Sequence, residues 1–193
     1  MSVFDPQQQL LSNARLDYRG LIEAVKSHSE RAFCAGFKHP LLVGSAVIRG
    51  DLDQAAEPGG TALFRYEDVH GEAANRRTLE RAIFLLWRQP GSESAPGSFV
   101  IGRAKQCDIV LPDHPVSRQH ARIRVSRGDY FITDLGATNT TSINGLALEP
   151  HKETPLAVGD ELAFSRYCFR FLEAEQLYQL LLERMQLAGD GAP

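Results

Sequence analysis

The apolar positions at the start of the chain recur with the period of a helix. Asp5 is a helix-capping residue type, Pro6 occupies the first helical position and Gln8 the third. The apolar side chains that follow share one helical face: Leu10, Ala14, Tyr18, Leu21, Ile22 and Val25. The pattern predicts one amphipathic helix from about residue 6 to about residue 29.

Two β-prone runs follow this helix. The run 41–48 starts after Pro40 and is too short for a core helix, and a second run covers 61–66. Residues 51–60 between them have the composition of a turn. Residues 1–77 contain no motif that assigns a function, so we treat them as an N-terminal helical and β extension of unknown role.

From residue 78 the pattern changes to short strand-like runs separated by turn signals. Many short strands without a helical pattern between them are typical of an antiparallel sandwich or barrel. The runs are 81–88, 99–102, 109–111, 120–125, 130–135, 161–164 and 167–172. We therefore expect a β-sandwich over 78–173, followed by a C-terminal helix and tail over 174–193. The helix is expected to cap one end of the sandwich or to contact the N-terminal segment.

Composition and charge narrow the class of protein. The chain has 43% hydrophobic and 23% charged residues, as ordinary globular proteins have, and its net charge is −3. This charge argues against nonspecific binding of nucleic acid or of a membrane surface. Residues 99–127 nevertheless carry a local charge of +4, which leaves −7 on the rest of the chain. Positive charge is therefore concentrated in one part of the predicted sandwich.

The cysteines and the apolar runs indicate the setting. Cys34, Cys107 and Cys168 are odd in number and match no C-x-x-C spacing, which argues against a disulfide framework and against a structural zinc site. No export signal and no run of about 18 apolar residues is evident. The expected setting is a reduced cytoplasm, without membrane insertion.

Four sequence islands stand at predicted strand ends and in loops, where a rigid β-scaffold displays binding groups. They are Ile101-Gly102-Arg103, Val116-Ser117-Arg118-Gln119-His120, Asp134-Leu135-Gly136-Ala137-Thr138-Asn139 and Ile143-Asn144-Gly145. Arg103 and Ser117 each end a strand pattern beside a loop, and a forked guanidinium near a hydroxyl suits a phosphate dianion. Arg122 and Arg124 alternate with apolar residues, which fits the solvated face of a strand.

The order and spacing of these islands over residues 80–173 resemble a forkhead-associated (FHA) domain, and a later Leu156-x-x-Gly159-Asp160-x-Leu162-x-Phe164 pattern extends the match. The resemblance implies a mainly β fold, an antiparallel sandwich of about eleven strands. It also implies that loops at one end bind phosphothreonine peptides without catalysis.

Site residues follow from the resemblance. Arg103, Ser117 and Arg118 would contact the phosphate. Thr138 would help to form the pocket for the threonine methyl group, and Asn139 would hold the backbone of the ligand. The residues that would support the site structurally are Gly102, His120, Asn144 and Gly145. Gly102 would permit close packing of loops, and His120 would fix the recognition loops by hydrogen bonding.

The chain departs from the family pattern beside Asn139. Ala137 replaces a serine, and Thr140 replaces the glycine that usually follows the asparagine. Because a β-branched residue resists positive φ, a reshaped loop is expected to affect the backbone contact of Asn139 more than the phosphate contacts.

Other readings of the same residues remain. Asp113, His114, Ser117 and His120 contain the residue types of a hydrolase triad, but no G-x-S-x-G elbow is present. No metal spacing or nucleotide-binding loop is evident, so neither a metal nor a cofactor is expected. Arg76-Arg77-Thr78 has the residues of a kinase target, although a plain strand approach is the simpler interpretation.

The function expected is recognition of a phosphothreonine-containing protein downstream of a Ser/Thr kinase. The alternative is a structural FHA scaffold that assembles independently of phosphate, for example in a secretion apparatus.

Overall fold

The computed structural model describes residues 3–48, 50–53, 60–66, 79–92 and 94–189. Thr78 lies outside these ranges. The chain begins with two 3₁₀ turns and two short helices, and it ends with a longer helix. These elements are 3₁₀ turns Pro6–Gln9 and Ser12–Ala14, α1 Tyr18–Ser27, α2 Glu30–Cys34 and α3 Ala174–Gly189.

The prediction of one helix over 6–29 was wrong, because the chain leaves helical geometry in its middle. The Asp5 side chain accepts from the N–H of Gln7 and caps only a 3₁₀ turn. Asn13 and Ala14 then adopt φ values of 64° and 58°, which an α-helix does not accommodate. The N–H of Leu16 bonds to a carbonyl of the sheet, and α1 starts with a cap of its own.

Thirteen strands form the rest of the described fold. They are β1 Leu41–Val47, β2 Gly50–Leu52, β3 Phe64–Tyr66, β4 Ile83–Leu85, β5 Ser98–Gly102, β6 Ile109–Val110, β7 Ala121–Ser126, β8 Asp129–Asp134, β9 Thr141–Ile143, β10 Leu146–Ala147, β11 Glu153–Leu156, β12 Glu161–Phe164 and β13 Tyr167–Leu172. One sheet has the order β10-β9-β12-β13-β1-β4, a second has β11-β8-β7-β5-β6, and β2 pairs with β3. The two larger sheets contain eleven strands, which confirms the mainly β sandwich.

Strand β1 lies within the sandwich, although its sequence precedes residue 78. Leu41 pairs with Leu172 of β13 on one side and with Leu85 of β4 on the other. Leu42 faces the core between the sheets, whereas Leu41 and Val43 face the helices. A boundary at residue 78 therefore separates β1 from the sheet to which it belongs.

The helices cover the outer face of the six-stranded sheet and form a second apolar core. Leu177 and Leu181 of α3 pack in one cluster with Leu21 of α1 and Phe33 of α2. The C-terminal helix thus contacts the N-terminal segment, one of the two placements expected. Among the described residues, no helix combines the length and the apolar character needed to cross a bilayer.

Candidate functional site

The predicted phosphate-binding residues lie where two loops meet beyond the end of β5. The N–H of Arg103 donates to the carbonyl of Ser117 at 2.9 Å, and the N–H of Ala104 donates to the carbonyl of Arg118 at 3.0 Å. These backbone bonds continue the pairing of β5 with β7 into the loops. Arg103, Ser117 and Arg118 are therefore held side by side by the backbone.

The guanidinium of Arg103 is half-buried between two backbone carbonyls. Its Nε donates to Val116 at 3.1 Å, and its Nη2 donates to Gly60 at 3.3 Å. The second bond reaches a segment outside the two loops. Arg118 is exposed. One arginine is thus fixed at the site, and the other extends into solvent beside it.

Ser117 joins its loop to the loop that contains Thr138. Its buried hydroxyl oxygen accepts from the N–H of Thr138 at 3.1 Å. A hydroxyl that accepts one bond still has a hydrogen to donate. Thr138 itself is exposed. The structure therefore places both residues at the same loop junction, with the serine below and the threonine at the surface.

His120 is fully buried and positions the same loops from beneath. Its Nδ1 accepts from the N–H of Ser117 at 3.1 Å, so the ring is neutral with its hydrogen on Nε2. Its backbone bonds to Ile101 on one side and to Leu135 on the other. Burial lowers the pKa of His120 to about 4, against an opposing influence of the Asp134 carboxylate. This histidine stays uncharged at neutral pH.

Asp134 shapes the loop that ends at Asn139. The sequence pattern did not predict this role. Its carboxylate accepts from the N–H groups of Gly136, Ala137 and Thr141, and from the Thr141 hydroxyl at 2.6 Å. Gly136 has a φ of 76°, whereas Thr140 is not in the left-handed region. Thr140 therefore adds no positive-φ strain.

Asn139 is buried, and its amide group is bound to three backbone groups. Its Nδ2 donates to the carbonyl of Pro115 at 2.8 Å and to that of Ala62 at 2.7 Å. Its Oδ1 accepts from the N–H of Phe64 at 2.8 Å. The N–H of Ala62 also donates to His114 at 3.1 Å. Residues 60–64, hereafter the covering segment, thus cross the site in extended form.

The covering segment alternates between buried and exposed side chains. Ala62 and Phe64 are buried, and Leu63 between them is exposed. The ring centre of Phe64 lies 5.9 Å from the guanidinium carbon of Arg166. Asp113 accepts from that guanidinium at 2.6 and 2.9 Å. The run 61–66 was predicted only as a strand, and its place at the site depends on hydrogen bonds of the covering segment that span from 43 to 77 residues of sequence.

Gly102 lies where the chain passes close to the backbone of Arg118. A Cβ atom at this position would stand 2.4 Å from the carbonyl oxygen of Arg118 and 3.0 Å from Sγ of Cys107. Real side chains do not tolerate a backbone oxygen at that distance. A residue larger than glycine would therefore displace the loop that contains Arg118.

Asn144 and Gly145 lie in a turn with contacts elsewhere. Their φ values of 50° and 80° form the tight turn between β9 and β10. The Asn144 side chain donates to Asp160 at 2.8 Å and accepts from the N–H of Glu161 at 2.9 Å. These contacts fix the start of β12, so the structure assigns the two residues to the hairpin and not to the loops around Asn139.

Asp113, Ser117 and His120 have the residue types of a hydrolase triad, but their side chains do not form a triad. His120 receives the backbone N–H of Ser117 and does not bond to its hydroxyl. The Asp113 carboxylate is paired with Arg166 and Tyr167. Within the described ranges there is no group of three His, Cys, Asp or Glu side chains that could hold a metal ion. The arrangement presents hydrogen-bond donors and no activated nucleophile.

This chain is similar to known proteins in sequence and in structure. The sequence profile of the FHA domain matches residues 99–165. The oxoglutarate dehydrogenase inhibitor of Corynebacterium efficiens is 37% identical over 144 residues, covering 71% of this chain and 93% of that protein. The glycogen accumulation regulator GarA of Mycobacterium tuberculosis is 37% identical over 100 residues, covering 52% of this chain and 51% of that protein. The solved FhaA FHA domain, complexed with the intracellular domain of Rv3910, is 33% identical, covers 39% of this chain and 79% of that chain, and has a TM-score of 0.36.

Proposed function

Because the chain belongs to the forkhead-associated (FHA) domain family, we propose that it is a phosphothreonine-peptide-binding interaction module and not an enzyme. It would recognise a protein that a Ser/Thr kinase has phosphorylated. Neither nucleic acid nor a membrane is the proposed partner. The free cysteines Cys34, Cys107 and Cys168 suit the cytoplasm as its setting.

The observation that carries this proposal is that the side chain of Asn139 holds an extended backbone by hydrogen bonds. One carbonyl and one N–H, two residues apart on the covering segment, bond to the same side-chain amide. Contacts of this kind hold a peptide without reference to its side chains. This bonding supports a peptide-binding role for Asn139, and Thr140 beside it adds no positive-φ strain.

We expect the phosphate to be bound beside Asn139, with Arg103 as one of its hydrogen-bond donors. Arg103 Nη2 donates to the carbonyl of Gly60 at 3.3 Å. A charged phosphate oxygen is a stronger acceptor for a guanidinium than a neutral carbonyl is. The Ser117 hydroxyl and the exposed Arg118 complete a set of donors around one dianion. A phosphorylated peptide can therefore make these contacts, whereas an unphosphorylated peptide cannot.

A ligand would have to displace the covering segment. The two donor hydrogens of the Asn139 amide are both in use, and one of them bonds to Ala62. An incoming peptide backbone therefore competes with the chain's own backbone for the same atoms. The phosphate supplies the additional binding energy that favours the incoming peptide.

The hydrogen bonds between Asn139 and the covering segment also favour a second candidate function, a structural scaffold that assembles without phosphate. If the covering segment never leaves Asn139, the site is a fixed part of the fold, and other surfaces of the sandwich make the contacts. The two candidates differ in whether phosphate changes binding.

Paired phosphorylated and unphosphorylated threonine peptides test the proposal. We expect the purified chain to bind phosphothreonine peptides of this set and not to bind their unphosphorylated twins. An unphosphorylated peptide that binds as well as its phosphorylated twin favours the scaffold instead.

A further inference from the structure

The turn formed by residues 113–116 presents two successive backbone carbonyls to the candidate site. The carbonyl of Pro115 accepts from Nδ2 of Asn139 at 2.8 Å, and the carbonyl of Val116 accepts from Nε of Arg103 at 3.1 Å. Asn139 and Arg103 are the side chains proposed to hold the peptide backbone and the phosphate. The position of this turn therefore sets the orientation of both side chains.

Asp113 begins the turn and bonds to it in two ways. Its carbonyl accepts from the N–H of Val116 at 3.0 Å, which closes the turn. Its Oδ1 accepts from the N–H of His114 at 3.0 Å. Because both the backbone and the side chain of Asp113 hold the turn, a displacement of this residue would shift the carbonyls that follow it.

The other carboxylate oxygen of Asp113 joins the turn to the six-stranded sheet. Oδ2 accepts from Nε and Nη2 of Arg166 at 2.9 and 2.6 Å, and from the Tyr167 hydroxyl at 2.6 Å. The side chains of Asp113 and Arg166 are 19% and 26% exposed, so solvent screens this ion pair less than a surface pair. Burial raises the pKa of Tyr167, and the Asp113 carboxylate raises it further. The hydroxyl therefore remains a donor at neutral pH.

Arg166 and Tyr167 are well supported because they lie at the tight connection between β12 and β13. Phe164 of β12 pairs with Tyr167 of β13, which leaves only Ser165 and Arg166 between the strands. The carbonyl of Arg166 accepts from the N–H of Ile48 at 2.8 Å. The six-stranded sheet thus gives the turn a rigid support on the side away from Asn139 and Arg103.

We propose that Asp113 is a positioning residue of the phosphopeptide site, and that it acts by fixing the 113–116 turn to Arg166 and Tyr167. Asp113 itself would contact neither the phosphate nor the peptide. It orients Arg103 through the carbonyl of Val116. This inference rests on the proposed function, and its consequence is that the contribution of Arg103 to phosphopeptide binding depends on Asp113.

A double-mutant cycle in the full chain tests this dependence. The proteins are the unaltered chain, Asp113→Asn, Arg103→Ala and the double variant, each checked for folding by circular dichroism. They are titrated calorimetrically with Gly-Gly-pThr-Ala-Leu-Phe-Arg-Tyr, a phosphopeptide with the sequence of residues 59–66. Asparagine keeps the size of the aspartate and removes the charge from an oxygen that accepts three hydrogen bonds.

The expected result is a loss that depends on the background. In the unaltered chain, Arg103→Ala should weaken binding roughly 10- to 100-fold. In Asp113→Asn the same substitution should weaken binding less than about threefold, because Arg103 has already lost its orientation. Any effect of Asp113→Asn on stability or on the covering segment is present with and without Arg103, so it cancels in the cycle.

Glu153→Gln is the matched control. The Glu153 carboxylate also accepts two hydrogen bonds from one guanidinium, that of Arg124, at 2.7 and 2.6 Å. This ion pair joins β7 to β11 and does not involve the 113–116 turn. In the Glu153→Gln background, Arg103→Ala should therefore cost the full 10- to 100-fold.

A second measurement needs no ligand. The Nε–H resonance of Arg103 in NMR spectra of the free chain reports its hydrogen bond to Val116. In Asp113→Asn this resonance should shift and its hydrogen should exchange faster with water, whereas the amide of Ile123 in the core keeps its protection. Tyr167→Phe removes one of the three donors to Oδ2 and should shift the resonance by a smaller amount. If Asp113→Asn does not fold, Tyr167→Phe takes its place in both measurements.

The outcomes distinguish two failures. An equal loss from Arg103→Ala in the unaltered and Asp113→Asn backgrounds, or an unchanged Arg103 resonance in Asp113→Asn, overturns this inference. Phosphate-dependent binding by the unaltered chain then still supports the proposed function. Absence of phosphate-dependent binding by the unaltered chain contradicts the proposed function and this inference with it.

Discussion

The backbone N–H of Phe64 donates to Oδ1 of the buried Asn139 at 2.8 Å, across 75 residues of sequence. The same amide donates to the carbonyl of Ala62 at 2.7 Å. These bonds join the N-terminal part of the chain to the loops of the sandwich. Since they use the side chain proposed to hold a ligand, we expect movement of the covering segment and binding of a ligand to be coupled.

Replacing Asn139 by alanine should release the covering segment. The substitution removes the acceptor for Phe64 and a donor to Ala62, and unsatisfied buried polar groups cost about 1–3 kcal/mol each. Hydrogen exchange should show faster exchange at the amides of Ala62 and Phe64. Asn144→Gly is the matched control, because its contacts lie at the β9–β10 hairpin. Equal protection of these amides in Asn139→Ala and in the unaltered chain would contradict the coupling.

Removing the phosphate contacts should weaken phosphopeptide binding without unfolding the sandwich. A hydrogen bond to a charged group contributes about 1.5–3 kcal/mol, so Arg103→Ala and Ser117→Ala should each lose roughly 10- to 100-fold in affinity. Arg122→Ala, at an exposed position on the outer face of β7, should bind as the unaltered chain does. Unchanged affinity in both site variants would remove the proposed phosphate site.

Phosphopeptide binding should weaken as the pH falls from 7 toward 5. The second pKa of a phosphomonoester is about 6, so the ligand loses part of its charge in this window. The pKa of His120 is lowered to about 4. This histidine therefore stays neutral there and is not the source of the loss. A phosphonate ligand with a different pKa should shift the midpoint of the titration, and an unshifted midpoint would assign the effect to the protein.

The stability of the fold should decrease as the pH falls from about 6.5 to about 4, because of His120. Its pKa in the folded chain is about 4, against 6.5 for an ordinary histidine, so the unfolded chain takes up the proton first. This difference corresponds to about 3 kcal/mol, lost progressively across that window. Denaturant unfolding of His120→Gln should show a shallower dependence on pH. An equally steep dependence in the variant would place the titrating group elsewhere.

The strands of the sandwich could be predicted because their apolar residues alternate within short runs. All seven runs from residue 81 onward correspond to strands, although 81–88 contains only the three residues of β4. Strands β9, β10 and β11 were not predicted, since they have two to four residues and little apolar character. The prediction of one N-terminal helix was wrong because the spacing of apolar residues does not reveal residues such as Asn13 that adopt positive φ.

The candidate site could be predicted only in part. Arg103, Ser117 and Thr138 come together because their islands lie at adjoining ends of the paired strands β5, β7 and β8. The covering segment could not be recognised, because Ala62 and Phe64 meet Asn139 only after the chain has folded back over more than 70 residues. Asn144 was assigned to the site by its motif, but its contacts belong to a neighbouring hairpin.

Phosphothreonine should be preferred over phosphoserine at the same peptide position. The two phosphates are alike in charge, so only the threonine methyl distinguishes them, in a pocket that we place beside Thr138 and Val116. Burial of one such group contributes about 0.8 kcal/mol, or about fourfold in affinity.

The most direct test of phosphothreonine recognition is calorimetric titration of the full chain, at low and at physiological salt, with the peptide Gly-Gly-pThr-Ala-Leu-Phe-Arg-Tyr, which has the sequence of residues 59–66. Its phosphoserine twin and its unphosphorylated twin are titrated in the same way. We expect the phosphothreonine peptide to bind at both salt concentrations and about fourfold more tightly than the phosphoserine peptide, and the unphosphorylated peptide to fail. Equal affinities for the two phosphopeptides that collapse together as salt is added would show nonspecific attraction and contradict specific recognition.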